Sequence, residues 1–235
     1  MKSTTEEIRR RFDGDVNRFA NLETGQVSII DAKYLLDVVT ESARRLVPGA
    51  CDLLDIGCGA GNYTLAMLGR LPELNCTLVD LSESMLAKAF ERISVRAAGK
   101  VTVIQGDLRK VELAENFFDI ILASAVLHHL RDDDDWADVF KKLYKLLRSG
   151  GCLMIADLVI HENNSLNEFF WQHYADYLEK TGGQEFRQVI LEYIAKEDTP
   201  RSITYQLELM KKTGFKNIEI LHKNICFAAF GGIKE

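Results

Sequence analysis

Long apolar runs are missing from this sequence of 235 residues. No apolar run reaches the roughly 18 residues that a membrane span requires, and residues 1–11 lack the apolar core of a signal peptide. Internal repeats and low-complexity stretches are also missing. The composition, with 47% hydrophobic and 27% charged residues, is ordinary for a soluble domain. We therefore expect a cytoplasmic protein with no membrane partner.

Closely spaced cysteine pairs of the kind that bind metals are missing too. Four of the five cysteines lie in or beside predicted buried strands, which favours reduced, apolar side chains. Cys58 is the exception, because its loop is predicted to face a ligand. The cysteines are Cys51, Cys58, Cys76, Cys152 and Cys226.

Excess positive charge is absent, since 29 basic residues face 35 acidic ones and the net charge is −6. This balance argues against a nucleic-acid partner. The one tight basic cluster, Arg9 to Arg11, is interpreted as the solvated face of a helix, with a phosphate contact as the alternative.

Strand-like apolar runs alternate with helical patterns along the middle of the chain. This alternation predicts a doubly wound, mostly parallel sheet with helices on both faces, because parallel strands need crossover connections. The predicted strands are 52–56, 76–79, 101–105, 118–123 and 152–157, and the predicted helices are 63–71, 84–95 and 135–147.

The flanking segments predict additions to this core. Residues 28–46 have an amphipathic helical pattern, and residues 166–212 are almost wholly helical in character. The end of the chain predicts a hairpin with a turn at His222 to Asn224. Four regions follow: an N-terminal helical cap (1–50), a cofactor-binding core (51–158), a helical lid (159–213) and a C-terminal β-hairpin (214–235).

A glycine-rich turn follows the first predicted strand. Gly57, Gly59 and Gly61 alternate after the carboxylate of Asp55, and a helical pattern begins directly after them. Glycine tolerates a positive φ and lets a ligand approach the backbone closely. This pattern indicates a small-molecule site at the carboxyl ends of the strands.

The next two strands also end in carboxylates. Asp80 is placed to bind the two hydroxyls of a ribose, and Asp107 follows the third strand. A dinucleotide or S-adenosylmethionine could use Asp80. The G-x-G-x-G spacing differs from the usual dinucleotide pattern, and Asp55 suits a cationic amino-acid group better than a phosphate.

Five motifs in this order resemble those of the class I S-adenosylmethionine-dependent methyltransferases. The resemblance covers residues 52–157 and implies a seven-stranded, Rossmann-like sheet with an antiparallel last strand. The motifs are Asp55-Ile56-Gly57-Cys58-Gly59-Ala60-Gly61, Val79-Asp80-Leu81-Ser82, Gly106-Asp107-Leu108, Phe118-Asp119-Ile120-Ile121 and Leu147-Arg148-Ser149-Gly150-Gly151.

The resemblance also implies which residues bind the cofactor, S-adenosyl-L-methionine. Leu81 and Met85 would lie beside the adenine, with Asp107 near its exocyclic amine. Ala123 and Ser124 would lie near the sulfonium. The full predicted set is Asp55, Gly57, Gly59, Gly61, Asp80, Leu81, Met85, Asp107, Leu108, Ala123 and Ser124.

His128 and His129, just after the fourth strand, are the candidate catalytic residues. Either could act as a general base if the acceptor arrives protonated. Adjacent side chains point in different directions, so we expect at most one to face the acceptor, and joint metal binding is disfavoured. The alternative is one packed histidine and one solvated histidine. No metal is expected.

Several other polar and aromatic groups have two interpretations. Asp132 to Asp135 could bind a metal, but acids at the start of a helix more simply cap its free amides. Lid aromatic residues could line an acceptor pocket or pack the lid on the core, and two lid arginines could bind an acidic substrate. These residues are Trp171, His173, Tyr174, Tyr177 and Phe186, with Arg187 and Arg201.

The whole chain also resembles the carboxy-S-adenosylmethionine synthases, through Phe12-Asp13, the cap helix and Lys212-Thr213-Gly214-Phe215. That family relies on an asparagine after the fourth strand, where this chain has Ser124, and on a lid arginine. We expect a methyltransferase acting on a small-molecule acceptor, with a homodimer as a candidate assembly. Carboxy transfer, a non-catalytic cofactor-binding subunit and a nicotinamide-dependent oxidoreductase remain as alternatives.

Overall fold

A computed structural model describes residues 2–21 and 25–235 of the chain. In this part, seven strands form one sheet in the order β3-β2-β1-β4-β5-β7-β6. Strands β1 to β5 are parallel, and β7 lies antiparallel between β5 and β6. The predicted sheet is confirmed. The strands are β1 (Asp52–Ile56), β2 (Asn75–Asp80), β3 (Val101–Gln105), β4 (Phe118–Ser124), β5 (Leu147–Leu158), β6 (Lys216–Asn224) and β7 (Phe227–Ile233).

Helices cover both faces of the sheet, as the continuous apolar strands require. Successive residues of one strand enter different cores: Leu53 packs in one cluster and Leu54 in the other. The named helices are α1 (Thr5–Gly14), α2 (Val16–Ala20), α3 (Ala32–Leu46), α4 (Asn62–Leu68), α5 (Glu83–Ser94), α6 (Asp133–Leu146), α7 (Asn164–Glu197) and α8 (Ile203–Thr213). None of the described helices has the length and apolar content needed to cross a membrane.

The N-terminal additions differ in detail from the prediction. The amphipathic helix predicted for 28–46 begins only at Ala32, because Asp31 has a left-handed backbone with φ 58°. Helix α1 precedes it and begins with a capping box formed by Thr4 and Glu7. Met1 and residues 22–24, which fall inside the predicted cap, lie outside the described residues.

The long helix α7 and the shorter α8 have different positions in the fold. Helix α7 is interrupted at Gly183, whose φ is 85°, and four of its buried residues, Tyr174, Leu178, Ile190 and Ile194, pack in the α3 and α4 core. Met210 of α8 is fully buried in the opposite core with Phe140 of α6. Helix α8 therefore belongs to the central α/β layers, and the helical lid predicted for 159–213 corresponds to α7 alone.

The predicted hairpin forms, but its turn was misplaced. Residues 222–224 continue β6, and the chain turns at Ile225 and Cys226. His222 and Asn224 lie two residues apart and both contact the Asp31 carboxylate, at 2.8 and 2.9 Å. Polar side chains at these positions predicted a turn. In the structure they extend β6 and contact Asp31 instead.

Candidate active site

A cavity opens at the carboxyl ends of β1, β2, β4 and β5, beneath α1, α2 and the end of α7. The winding of the sheet reverses between β1 and β4, where such sheets bind ligands. Its lining runs without interruption from the glycine turn after β1 to His128 and His129 after β4, so one cavity joins these two groups of residues.

The glycine turn forms one wall of this cavity. The amides of Gly57 and Cys58 both donate to the Val79 carbonyl, at 2.7 and 3.2 Å, which fixes the turn against β2. Gly59 lines the cavity with φ 50°, and a Cβ added there would meet no atom within 4 Å. Open space at this position leaves the backbone accessible to a ligand.

Gly61, the last glycine of the turn, packs against a neighbouring helix. It is not among the residues that line the cavity. Its φ is 80°, and an added Cβ would lie 2.6 Å from Ile93 and 3.3 Å from Ala89, both in α5. Glycine at this position lets α4 begin in close contact with α5, so the prediction that Gly61 contacts the cofactor is not supported.

Asp80 lies at the end of β2 and faces the cavity. Its two carboxylate oxygens accept from the Gly59 amide at 2.8 Å and the Ser82 amide at 2.9 Å. Burial raises the pKa of Asp80, although these amide donors oppose the shift. The carboxylate thus joins the glycine turn to the start of α5 and keeps free acceptor capacity for a ligand.

Asp55 supplies a second carboxylate beneath the glycine turn. It is fully buried and accepts a hydrogen bond of 2.6 Å from the Thr64 hydroxyl. Burial raises its pKa to about 7, with a smaller contribution from Asp80. A buried acid of this kind changes its charge when a cation binds beside it.

Asp107 also lines the cavity, but its carboxylate is already paired. Arg109 donates to both carboxylate oxygens at distances from 2.5 to 3.1 Å and also contacts Asp135 at 2.9 Å. Burial acts to raise the pKa of Asp107, but Arg109 outweighs burial and holds that pKa below its usual value. The predicted contact with the exocyclic amine stays a prediction.

Of the other predicted cofactor residues, most line the cavity and one does not. Leu81, Met85, Leu108 and Ser124 line the cavity. Ala123 does not, because its side chain points to the opposite face of β4 and is fully buried in the α6 core. The lining therefore does not support the predicted place of Ala123 beside a sulfonium, whereas Ser124, the next residue, faces the cavity.

His128 and His129 both line the cavity, and the expectation that at most one faces the acceptor stays a prediction. They lie in a 3-10 turn (Leu127–His129) with ring centroids 4.3 Å apart. Asp198, directly after α7, lies 3.8 Å from His128 Nε2 and 3.0 Å from His129 Nδ1. Adjacency therefore does not keep the two rings apart, because a tight turn and a shared carboxylate bring them together.

A further carboxylate holds His128. Asp157 near the end of β5 contacts His128 Nδ1 and accepts from the His128 amide at 3.1 Å. Burial acts to lower the pKa of His128, but Asp157 and Asp198 outweigh it and raise that pKa to about 9. Burial lowers the pKa of His129, and neighbouring His128 adds to this effect. The two imidazoles therefore have unlike environments despite their adjacency.

Asp157, Asp198 and Tyr193 line the cavity and were missed by the sequence analysis. Asp157 carries the same signal as Asp80, a carboxylate near the end of a parallel strand. Asp198 has no local signal, because only the path of α7 brings it to the histidines. Tyr193 stacks beneath Arg11, whose guanidinium lies 4.3 Å from the ring centre.

Most of the remaining candidates lie away from the cavity. Of the five lid aromatics, only Tyr174 lines the cavity, and its hydroxyl donates to the Ser28 carbonyl at 2.9 Å. Arg187 and Arg201 pair with Glu179 and Asp133, and neither lines the cavity. Asp132 caps α6 by accepting from the Asp135 amide at 2.9 Å, as the capping interpretation expected.

The basic cluster and the cysteines follow their simpler interpretations only in part, because Arg11 is largely buried and Cys51 is exposed. Arg9 and Arg10 contact Glu6 on the surface of α1, and Arg11 pairs with Glu197 at the end of α7. All five cysteines are free; Cys51 is exposed and the other four are buried. Cys58 lines the cavity, as its loop position predicted.

Comparisons with known proteins agree with this geometry. Residues 53–151 match a family model described as a methyltransferase domain. The carboxy-S-adenosyl-L-methionine synthase of Vibrio atlanticus is 27% identical over 214 residues, which cover 89% of this chain and 87% of that protein.

Two solved structures share the fold. The 1,6-didemethyltoxoflavin-N1-methyltransferase of Burkholderia thailandensis has a TM-score of 0.66 at 15% identity, covering 100% of this chain and 92% of that one. Human N-acetylserotonin methyltransferase has a TM-score of 0.63 at 16% identity, covering 99% of this chain and 59% of that one. The sheet order and the cavity define a Rossmann-like small-molecule-binding protein. The family model over residues 53–151, the curated relative and the shared fold together support a relationship to the class I S-adenosylmethionine-dependent methyltransferases.

Proposed function

We propose that this chain binds S-adenosyl-L-methionine in the cavity and transfers its methyl group to a small organic acceptor. The observation that carries this proposal is the joining of two unlike compartments in one cavity. One contains the glycine turn with Asp55 and Asp80, and the other contains His128, His129 and aromatic side chains.

The first compartment fits the cofactor. Gly59 leaves an open approach to the backbone, Asp80 offers acceptors for ribose hydroxyls, and Asp55 suits a cationic amino-acid group. Met85 and Leu108 supply buried apolar surface for an adenine. Bound there, S-adenosylmethionine would supply a methyl group carried on an electrophilic sulfonium.

The second compartment fits the acceptor. Phe12 and Tyr193 line it beside the histidines, and α1 and the end of α7 cover it. His128 and His129 are the groups we expect to face the reacting atom. The protein's contribution is alignment and exclusion of water, and positioning of reactants can lower a barrier by about 7–11 kcal/mol at most.

Carboxy transfer is the second candidate, favoured by the match to the Vibrio enzyme over most of the chain. Against it, Ser124 stands where those enzymes use an asparagine. The two arginines of residues 159–213, Arg187 and Arg201, pair with surface acids away from the cavity. Neither of these lid arginines is therefore placed to recognise an added carboxylate, although Arg18, Arg109 and Arg131 line the cavity from other elements.

Mass spectrometry of the ligand released from the purified, denatured chain tests these options. We expect S-adenosylmethionine or S-adenosylhomocysteine. A carboxylated derivative would favour carboxy transfer, and a nicotinamide dinucleotide would contradict the proposal. Methylation of a small acceptor by the chain alone would further exclude a purely non-catalytic subunit.

A further inference from the structure

The acceptor compartment contains buried polar atoms that lack hydrogen bonds. Asp198 Oδ2 and His129 Nε2 are buried and have no hydrogen-bond partner among the described residues. The other two atoms of these groups, Asp198 Oδ1 and His129 Nδ1, lie 3.0 Å apart and pair only with each other at that distance. Buried polar groups without partners are rare in native proteins, and an ion or a ligand commonly explains them.

The spacing of these atoms matches a metal-binding set. His128, His129 and Asp198 each offer one ligand atom, and the three atoms lie within 4.8 Å of one another. The two distances to Asp198 Oδ1 are 3.0 and 3.8 Å. Ligands held at about 2.0–2.2 Å in a tetrahedral zinc site lie roughly 3.4 Å apart. Small side-chain movements would therefore bring all three onto one ion.

The surroundings of His128 support the same interpretation. Asp157 contacts Nδ1 of this ring, which leaves Nε2 directed toward Asp198. Asp157 is itself held by the Leu158 amide at 2.8 Å, and the Thr199 amide donates to the His128 carbonyl at 2.7 Å. A carboxylate on the far nitrogen is the usual support of a histidine that binds a metal.

We propose that His128, His129 and Asp198 form a binding site for a divalent transition-metal ion of the zinc class. Two imidazoles and one carboxylate form a ligand set typical of such ions in catalytic sites that keep an open position. The carboxylates of Asp157 and Asp198 would balance the charge of a divalent ion in a buried place.

Because the three ligands line the cavity, a bound ion could contact the acceptor. The open position would receive an oxygen or nitrogen of the acceptor and hold it as a nucleophile, a role that rests on the proposed methyl transfer. Metal binding itself does not depend on that reaction, so the two proposals can fail separately.

Metal titration of the full chain tests the site. The protein is treated with a chelator, dialysed and titrated with Zn²⁺ by calorimetry, and with Co²⁺ by visible absorption. We expect one ion per chain. Asp198→Asn and His129→Gln should each weaken Zn²⁺ binding at least tenfold, and Asp157→Asn about 10–100-fold through the second coordination sphere.

The matched control is His173→Gln, because His173 is an exposed histidine on α7 that bonds only the Phe169 carbonyl among the described residues. It should bind Zn²⁺ as the unchanged protein does. Failure of the unchanged protein to bind one equivalent would overturn the proposal, and so would equal binding by the Asp198→Asn variant. Loss of S-adenosylmethionine binding with Zn²⁺ binding intact would contradict the proposed function alone.

Discussion

Arg11 and Glu197 join the first helix to the end of α7. The Arg11 guanidinium donates to both Glu197 oxygens at distances from 2.7 to 3.0 Å, and only 8% of the Glu197 side chain is exposed. Since α1 and the residues after α7 both border the cavity, this pair holds together two parts of its cover.

Glu197→Gln should lower the free energy of unfolding by about 1.5–3 kcal/mol, because it removes a charge-assisted, largely buried hydrogen-bonded pair. Urea unfolding measures the change. The control is Glu179→Gln, which breaks the more exposed pair with Arg187 on the same helix and should cost no more than about 1 kcal/mol. Equal losses in the two variants would show that the pair does not hold the cover.

Gly59 and Gly61 should respond differently to alanine. Gly61→Ala meets both a left-handed backbone and the Ile93 side chain, so it should cost about 2–4 kcal/mol of stability. Gly59→Ala meets backbone strain alone, at about 1–2 kcal/mol, but places a methyl group in the cavity.

Thermal unfolding and calorimetric titration with S-adenosylhomocysteine separate the two effects. We expect Gly59→Ala to lose more affinity and Gly61→Ala to lose more stability. The opposite ranking would contradict the assignment of Gly59 to the ligand and Gly61 to helix packing.

Much of this site was predictable from the sequence because strand ends carry a local signal. The apolar runs that end at Asp80 and at the glycine turn predict two strands. Their polar ends predict that both strands reach the same edge of the sheet. Ala123 and Ser124 were not separated, since a motif does not show which face of the strand each side chain takes. Asp198 was missed because it lies far from His128 in the sequence, and only the packing of α7 brings the two residues together.

Asp55 should make stability depend on pH. Its pKa is raised to about 7 in the folded chain, against about 3.9 when unfolded, so the folded state binds more protons between these values. The contribution of Asp55 to stability is therefore fully present below about pH 4. It falls as pH rises toward 7, by up to about 1.4 kcal/mol per pH unit.

Urea unfolding at several pH values compares the unchanged chain with Asp55→Asn. Between about pH 4 and pH 7, the unfolding free energy of the unchanged chain should fall relative to that of Asp55→Asn as the pH rises. A difference that stays constant would show that Asp55 is ionised throughout.

The same carboxyl group should release a proton when a cationic ligand binds. A positive charge beside Asp55 favours its ionised form and lowers its pKa. Near pH 7, calorimetry in two buffers of different ionisation enthalpy should show net proton release with S-adenosylmethionine. The release should be smaller for Asp55→Asn, and identical release in both proteins would assign the proton to another group.

The central claim is that the compartment around Asp80 binds S-adenosylmethionine, and calorimetric titration tests it most directly. We expect the unchanged chain to bind both this ligand and S-adenosylhomocysteine. Asp80→Asn should weaken binding by about 10–100-fold, as expected for lost hydrogen bonds to a charged group. Asp138→Asn, a change to an exposed acid of α6, should have no effect. Absence of binding by the unchanged chain, or equal affinity in Asp80→Asn, would contradict the account.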